Sequence, residues 1–79
     1  MRSIGTLHLV GRRTGAVRSV RLRYTRTPDG SVLISAGGMD EQWPLNLRAN
    51  AECRFEIDGE TRRYRAVEQS ARRFRLAPI

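Results

Sequence analysis

From Val20 to Thr25 apolar and polar residues alternate without a break: Val20, Leu22 and Tyr24 against Arg21, Arg23 and Thr25. Successive side chains on a strand point to opposite faces, so this period of two predicts a half-buried strand over Arg18 to Arg26. A helix would scatter the same residues around its circumference. The pattern recurs where Cys53, Phe55 and Ile57 alternate with Arg54 and Glu56. A chain whose apolar residues repeat at every second position builds its core from sheet.

Turn signals divide the remainder. Leu7 to Val10 is a short apolar run, read as a strand, that ends at the Gly11–Gly15 turn. Pro28-Asp29-Gly30 predicts a second turn, which returns Ser31 to Ala36 as hairpin partner of the Arg18–Arg26 strand. Gly37-Gly38 breaks that strand. Asp40 to Ala51 predicts a short helix with Trp43 and Leu47 on one face and Pro44 in its first turn. Asn50 suits the helix end as a left-handed residue. Asp58-Gly59 is a two-residue hairpin signal, so Thr61 to Val67 runs back along the Cys53–Ile57 strand. Gln69 to Leu76 is read as a terminal helix with a slight apolar face.

The expected order is therefore β-β-β-α-β-β with a final α, a mainly β (α+β) chain forming a small barrel or rolled antiparallel sheet. No repeat or linker divides the 79 residues, so residues 1–79 form a single domain. A domain this short buries only about 60–65% of its unfolded surface, which makes support from a bound cofactor or a second subunit useful. Five strands also leave edges to cover, and a homodimer is the expected cover.

Fifteen basic residues against eight acidic ones give a net charge of +7, and every basic residue is arginine. Arginine in place of lysine partly reflects codon composition; the net excess points to an anionic partner. A nucleic acid, an acidic membrane face and a phosphorylated cofactor all qualify. A small basic nucleic-acid-binding module is the alternative reading, with Arg21 and Arg23 on one strand face. Against it, aromatic residues are 6% of the chain and none is interleaved with arginine on an exposed face. Cys53 is the only cysteine, so no internal disulfide forms and a cytoplasmic setting is expected. With His8 the only histidine, a zinc site lacks ligands. No apolar run approaches the about 20 residues of a transmembrane segment, and no export signal is present.

Side-chain catalysis finds little support. Cys53 reads as a small core residue and His8 as a structural histidine without an evident acid or serine partner. The carboxylates occur singly, so no catalytic residue is named. Gly11-Arg12-Arg13-Thr14-Gly15 lacks the spacing of a P-loop, yet a glycine-flanked turn presents backbone N–H groups to an anion. Arg12, Arg13 and Thr14 add donors, and arginine matches phosphate oxygens in a bidentate way. By residue chemistry alone this turn is either a phosphate socket or a solvated hairpin tip. Ser35-Ala36-Gly37-Gly38 lets a flat ligand approach the backbone closely. The helix opening at Trp43 offers free amides to a polar or anionic group.

Taken in order, GRRTGAVR, SAGG and WPLNLRAN resemble the deazaflavin (F420)-dependent nitroreductase family of split β-barrel flavin-binding proteins. Gly11, Arg12, Arg13, Thr14, Gly15 and Arg18 match its G-R-[KR]-[ST]-G-x-x-R stretch. Ser35, Gly37 and Gly38 match its serine-containing glycine pair, and Trp43, Asn46, Leu47, Ala49 and Asn50 its helix-to-strand signature. The resemblance spans roughly residues 6 to 67. It implies a small split β-barrel that binds coenzyme F420, a deazaflavin with a phosphodiester and an acidic tail. Hydride would pass from F420H2 to a nitroaromatic, a quinone or a similar unsaturated small-molecule acceptor. FMN is the alternative occupant. By the matching positions, Arg12, Arg13, Thr14 and Arg18 would hold the phosphate and tail. Ser19, Val20, Arg21 and Leu22, with Ile34, Ser35, Ala36, Gly37 and Gly38, would flank the ring, and Trp43, Leu45 and Asn46 would line the ring or the acceptor side. Relative to that family the chain is expected to be a truncated or minimal member with part of the acceptor pocket missing, and a cofactor-binding fragment without turnover is the other alternative reading.

Overall fold

The computed structural model describes residues 3–37 and 41–79. The strands are β1 (Ile4–Val10), β2 (Val17–Arg23), β3 (Thr25–Arg26), β4 (Val32–Ser35), β5 (Glu52–Ile57), β6 (Glu60–Ser70) and β7 (Arg73–Pro78). One helix, α1 (Trp43–Ala49), joins β4 to β5. The strands form one 7-stranded sheet in the order β2-β1-β5-β6-β7-β4-β3, antiparallel throughout. β2 and β3 stand at opposite ends of that order, yet Tyr24 alone separates them in the chain. The sheet therefore curls until its two ends meet at Tyr24. This is the curled, split-barrel-like architecture expected of a chain patterned with period two.

The inner face is built by the alternation that the sequence displays. Leu7 and Leu9 of β1, Cys53, Phe55 and Ile57 of β5 and Tyr64 of β6 are buried there. Phe74 and Leu76 of β7 and Val32 and Ile34 of β4 complete the core, and Val20, Leu22 and Tyr24 pack against it. The Phe55 ring lies over Gly5 so closely that a Cβ on Gly5 would stand 2.7 Å from Phe55 Cζ and 2.7 Å from the Glu56 carbonyl oxygen. Tyr24 meets that same ring edge-on, with centroids 5.5 Å apart and planes at 75°. The residue at which the sheet closes thus leans on a ring that only glycine accommodates.

The helix covers one side of the core. Trp43 packs on Phe74 at 5.6 Å and 57°, and Leu47 is buried beside it. Pro44 occupies the first turn as expected. Arg48, in the last turn, donates to Glu68 through Nε at 3.0 Å and Nη2 at 2.7 Å, fastening the helix to β6. The helix is shorter than the expected Asp40–Ala51, and Asp40 lies outside the described residues. Asn50 ends the helix with an extended backbone, φ −144°, rather than a left-handed one, and donates its N–H to the Asn46 carbonyl at 2.9 Å. The chain runs straight from the helix into β5, so no reversal is needed.

Two expectations are corrected. The Arg18–Arg26 run does not pair as one strand with Ser31–Ala36: β2 pairs with β1, and only the short β3 pairs with β4. The expected terminal helix over Gln69–Leu76 is a β-hairpin, with β6 reaching Ser70 and β7 beginning at Arg73. Phe74 and Leu76 repeat at two-residue spacing and fill the core against β4. Arg72 takes the positive φ of 65° that the tight turn demands, without the glycine or asparagine that normally advertises it. The Asp58-Gly59 hairpin forms as expected, with φ of 51° and 80° at its two central residues.

The turn between β3 and β4 is held by Asp29. Its carboxylate accepts from the Thr27 hydroxyl, from the Ser31 N–H at 3.1 Å and from Arg75. Chiefly the Thr27 hydroxyl, then the Ser31 amide and hydroxyl with Arg75, lower its pKa to about 2. A folded-state pKa below the ordinary value means stability that is full above about pH 4 and is lost as pH falls through 2. Asp29→Asn is expected to flatten that part of the pH–stability curve and to leave its shape above pH 5 alone, read by urea unfolding at stepped pH. Gly5→Ala is expected to cost about 1–3 kcal/mol in the same assay, because the Phe55 ring cannot move without displacing Tyr24.

Candidate functional site

The β1–β2 connection is the GRRTG turn, and its bonds are mostly internal. Gly11 N–H donates to the Ala16 carbonyl at 2.8 Å, and Gly15 N–H to the Gly11 carbonyl at 2.9 Å. Gly15 has φ 73°. The Thr14 hydroxyl accepts from the Ala16 N–H at 3.2 Å, closing its own turn. The Arg18 side chain crosses Gly11, where a Cβ would stand 2.9 Å from its Nε. A glycine here lets the guanidinium lie flat across the backbone.

Arg12 turns away from solvent and binds the helix. Its N–H and Nη1 both donate to Asn46 Oδ1, at 3.1 and 2.8 Å, and its Nη2 donates to Gln42 Oε1 at 2.9 Å. Asn46 is itself buried. One amide oxygen thus satisfies a backbone and a guanidinium donor from a distant turn, locking the GRRTG loop to α1. Arg13 and Arg18 differ. Both are exposed, and among the described residues no hydrogen bond or ion pair engages either side chain.

Between β2 and α1 lies an open cavity of about 510 Å³. Arg18, Ser19, Val20, Arg21 and Leu22 line it from β2, Trp43 and Asn46 from the helix. Leu9, Glu41 and Gln42, which the residue patterns did not single out, complete it. Glu41 is the most informative of these. It accepts from the Gly37 N–H through Oε1 at 3.2 Å and from Trp43 Nε1 through Oε2 at 2.6 Å, and so fixes the indole against the end of the glycine segment. Its place beside WPLN was visible, but only the fold brings it to Gly37. β2 pairs on one side alone, with β1, so its other edge offers backbone N–H and C=O groups to whatever occupies the cavity.

The other expected site residues lie elsewhere. Ile34 is buried in the core, and with Ser35 it lines a separate cavity of about 520 Å³ together with Arg23, Tyr24 and Arg73. Ala36 is half-buried, its N–H donating to the Arg72 carbonyl at 2.9 Å. Gly37 is exposed, and Gly38 lies outside the described residues. Leu45 is 39% exposed on the helix and takes no part in the β2–α1 cavity.

Side-chain chemistry is spread thinly. Burial pushes the Cys53 thiol up to about 12, which keeps it protonated and inert, as a core cysteine should be. His8 corrects its sequence reading, because it does have partners. Its Nδ1 lies 2.8 Å from Ser19 Oγ and its Nε2 lies 3.4 Å from Glu56 Oε1. These are cross-strand neighbours on the outer face of β2, β1 and β5. Among the described residues no helix is long and apolar enough to cross a membrane.

What this site can do is therefore hold a flat, partly anionic molecule: an open strand edge, an indole wall, and two free guanidiniums at the turn. A comparison with curated proteins finds no match. The family model described as F420H(2)-dependent quinone reductase matches residues 1–78. The chain belongs to that family, and its cofactor is coenzyme F420.

Proposed function

We propose that the β2–α1 cavity seats the deazaflavin ring and that the protein passes hydride from F420H2 to a quinone, a nitroaromatic or a similar acceptor. The observation that carries this is the open edge of β2 facing Trp43 across a cavity of about 510 Å³, a size suited to a cofactor headgroup. The residues present fit the group. A ring with alternating donors and acceptors along its edge pairs naturally with an unpaired strand edge. A phosphodiester and acidic tail call for cations without carboxylate partners, and Arg13 and Arg18 stand at the turn beside that edge.

Bound F420H2 supplies the hydride; the chain supplies position and charge. Trp43, held by Glu41, forms the apolar wall that limits water access. The β2 edge sets the angle of the ring. Arg13 and Arg18 hold the anionic end, while Arg12, tied to Asn46, keeps the turn in place from behind rather than touching the cofactor. Hydride transfer of this kind needs no side-chain nucleophile and no metal ligand set.

Titrating F420 against the emission of Trp43, the only tryptophan, tests the reading. Arg13→Ala and Arg18→Ala are each expected to weaken binding about tenfold, the loss of one charge-assisted contact, with unchanged unfolding curves. Arg12→Ala is expected to weaken binding and lower stability together, because it strands the buried Asn46 amide. Equal affinity in the Arg13 and Arg18 variants overturns the assignment, and tighter binding of FMN than of F420 assigns the cavity to a flavin instead.

A further inference from the structure

On the outer face of the sheet, arginines stand in register without counter-ions. Arg54 of β5 is the direct partner of Arg63 on β6, and His8 of β1 is the partner of Arg54 on the other side. Directly opposed residues hold their Cβ atoms about 5 Å apart, where like charges repel. The neighbouring carboxylates have other partners. Glu52 pairs with Arg65 at 3.3 Å, and Glu56 lies 3.4 Å from His8 Nε2. Arg54 and Arg63 are exposed, and among the described residues neither has a carboxylate partner. They line an open depression of about 750 Å³ together with Asn50, Thr61, Val10, Val17 and the Arg65-paired Glu52.

We infer that Arg54 and Arg63 form a second anion site, one that takes a phosphate group. The chemistry selects phosphate over carboxylate. Two guanidinium forks each seek a pair of oxygens, and a carboxylate satisfies one fork while a tetrahedral phosphate presents oxygens to both. A dianion also removes the repulsion that the register builds in. His8 and Thr61 line the same depression, and the imidazole, tied to Ser19 and Glu56, reports on it. Arg54 and Arg63 take no part in lining the β2–α1 cavity, and the site stands whether or not F420 binds there.

Titration of the 15N-labelled protein with inorganic phosphate, against chloride at equal ionic strength, tests it. Saturable shifts are expected at the amides of residues 54 and 63 and at the imidazole of His8, the only histidine. Arg54→Gln and Arg63→Gln are each expected to weaken binding about tenfold, while Arg26→Gln leaves it unchanged. Both variants should melt no lower than the parent, since each removes an opposed like charge. A parallel arm uses phosphatidylcholine vesicles with and without phosphatidic acid. Binding that needs phosphatidic acid and both arginines, without a response to inorganic phosphate, assigns the group to a lipid headgroup. No saturable response in either arm, or an equal loss in Arg26→Gln, overturns the site.

Discussion

Both ends of the sheet belong to one stretch of chain, Val17 to Arg26, hinged at Tyr24, and most other features follow from that closure. A short chain cannot afford two stacked sheets, so it wraps one sheet around a thin core. The wrap is held where Tyr24 meets Phe55, and Phe55 fits only because residue 5 has no side chain. The same closure leaves β2 with a single ladder partner. The strand that seals the barrel at one end is the strand that opens an edge to the helix at the other, and that edge borders the β2–α1 cavity.

The arginines divide by what they touch. Arg12, Arg48 and Arg75 join elements distant in sequence: the first turn to α1, α1 to β6, and β7 to the β3–β4 turn. Ion pairs of this exposure contribute little singly, so their role is to set geometry more than to add stability. Arg13, Arg18, Arg54 and Arg63 are among those that are exposed and have no side-chain partner among the described residues. A net charge of +7 therefore describes two populations, arginines that join elements and arginines whose guanidiniums are free among the described residues.

Period two was the durable signal. Val20–Thr25 and Cys53–Ile57 announced strands because each buries one face, and Asp58-Gly59 announced its hairpin because positive φ is cheap there. What the residues could not announce were long-range choices. Nothing local says that the alternation breaks at Tyr24 and changes partner, or that Ala71-Arg72 turns without a glycine. The GRRTG turn shows the same limit at the site. Its arginines look equivalent in sequence, yet Arg12 is consumed by a buried asparagine 34 residues away and Arg13 is not. His8 likewise gained Ser19 and Glu56 only through strand register.

The Arg12–Asn46 contact also explains why the expected socket shifts rather than disappears. A turn built to hold phosphate through its own amides would need them free, but the Arg12, Gly15 and Ala16 N–H groups are already bonded within the fold. Rigidity replaces them as the turn's contribution. With the loop locked to a buried amide, Arg13 and Arg18 begin from a fixed backbone, so less ordering is required when an anion arrives. Gly11 completes this arrangement by letting the exposed Arg18 side chain pass close over the turn. The two glycines and three arginines of this segment thus have separate tasks: Arg12 fixes the turn from inside, and Arg13 and Arg18 keep their guanidiniums free of partners among the described residues.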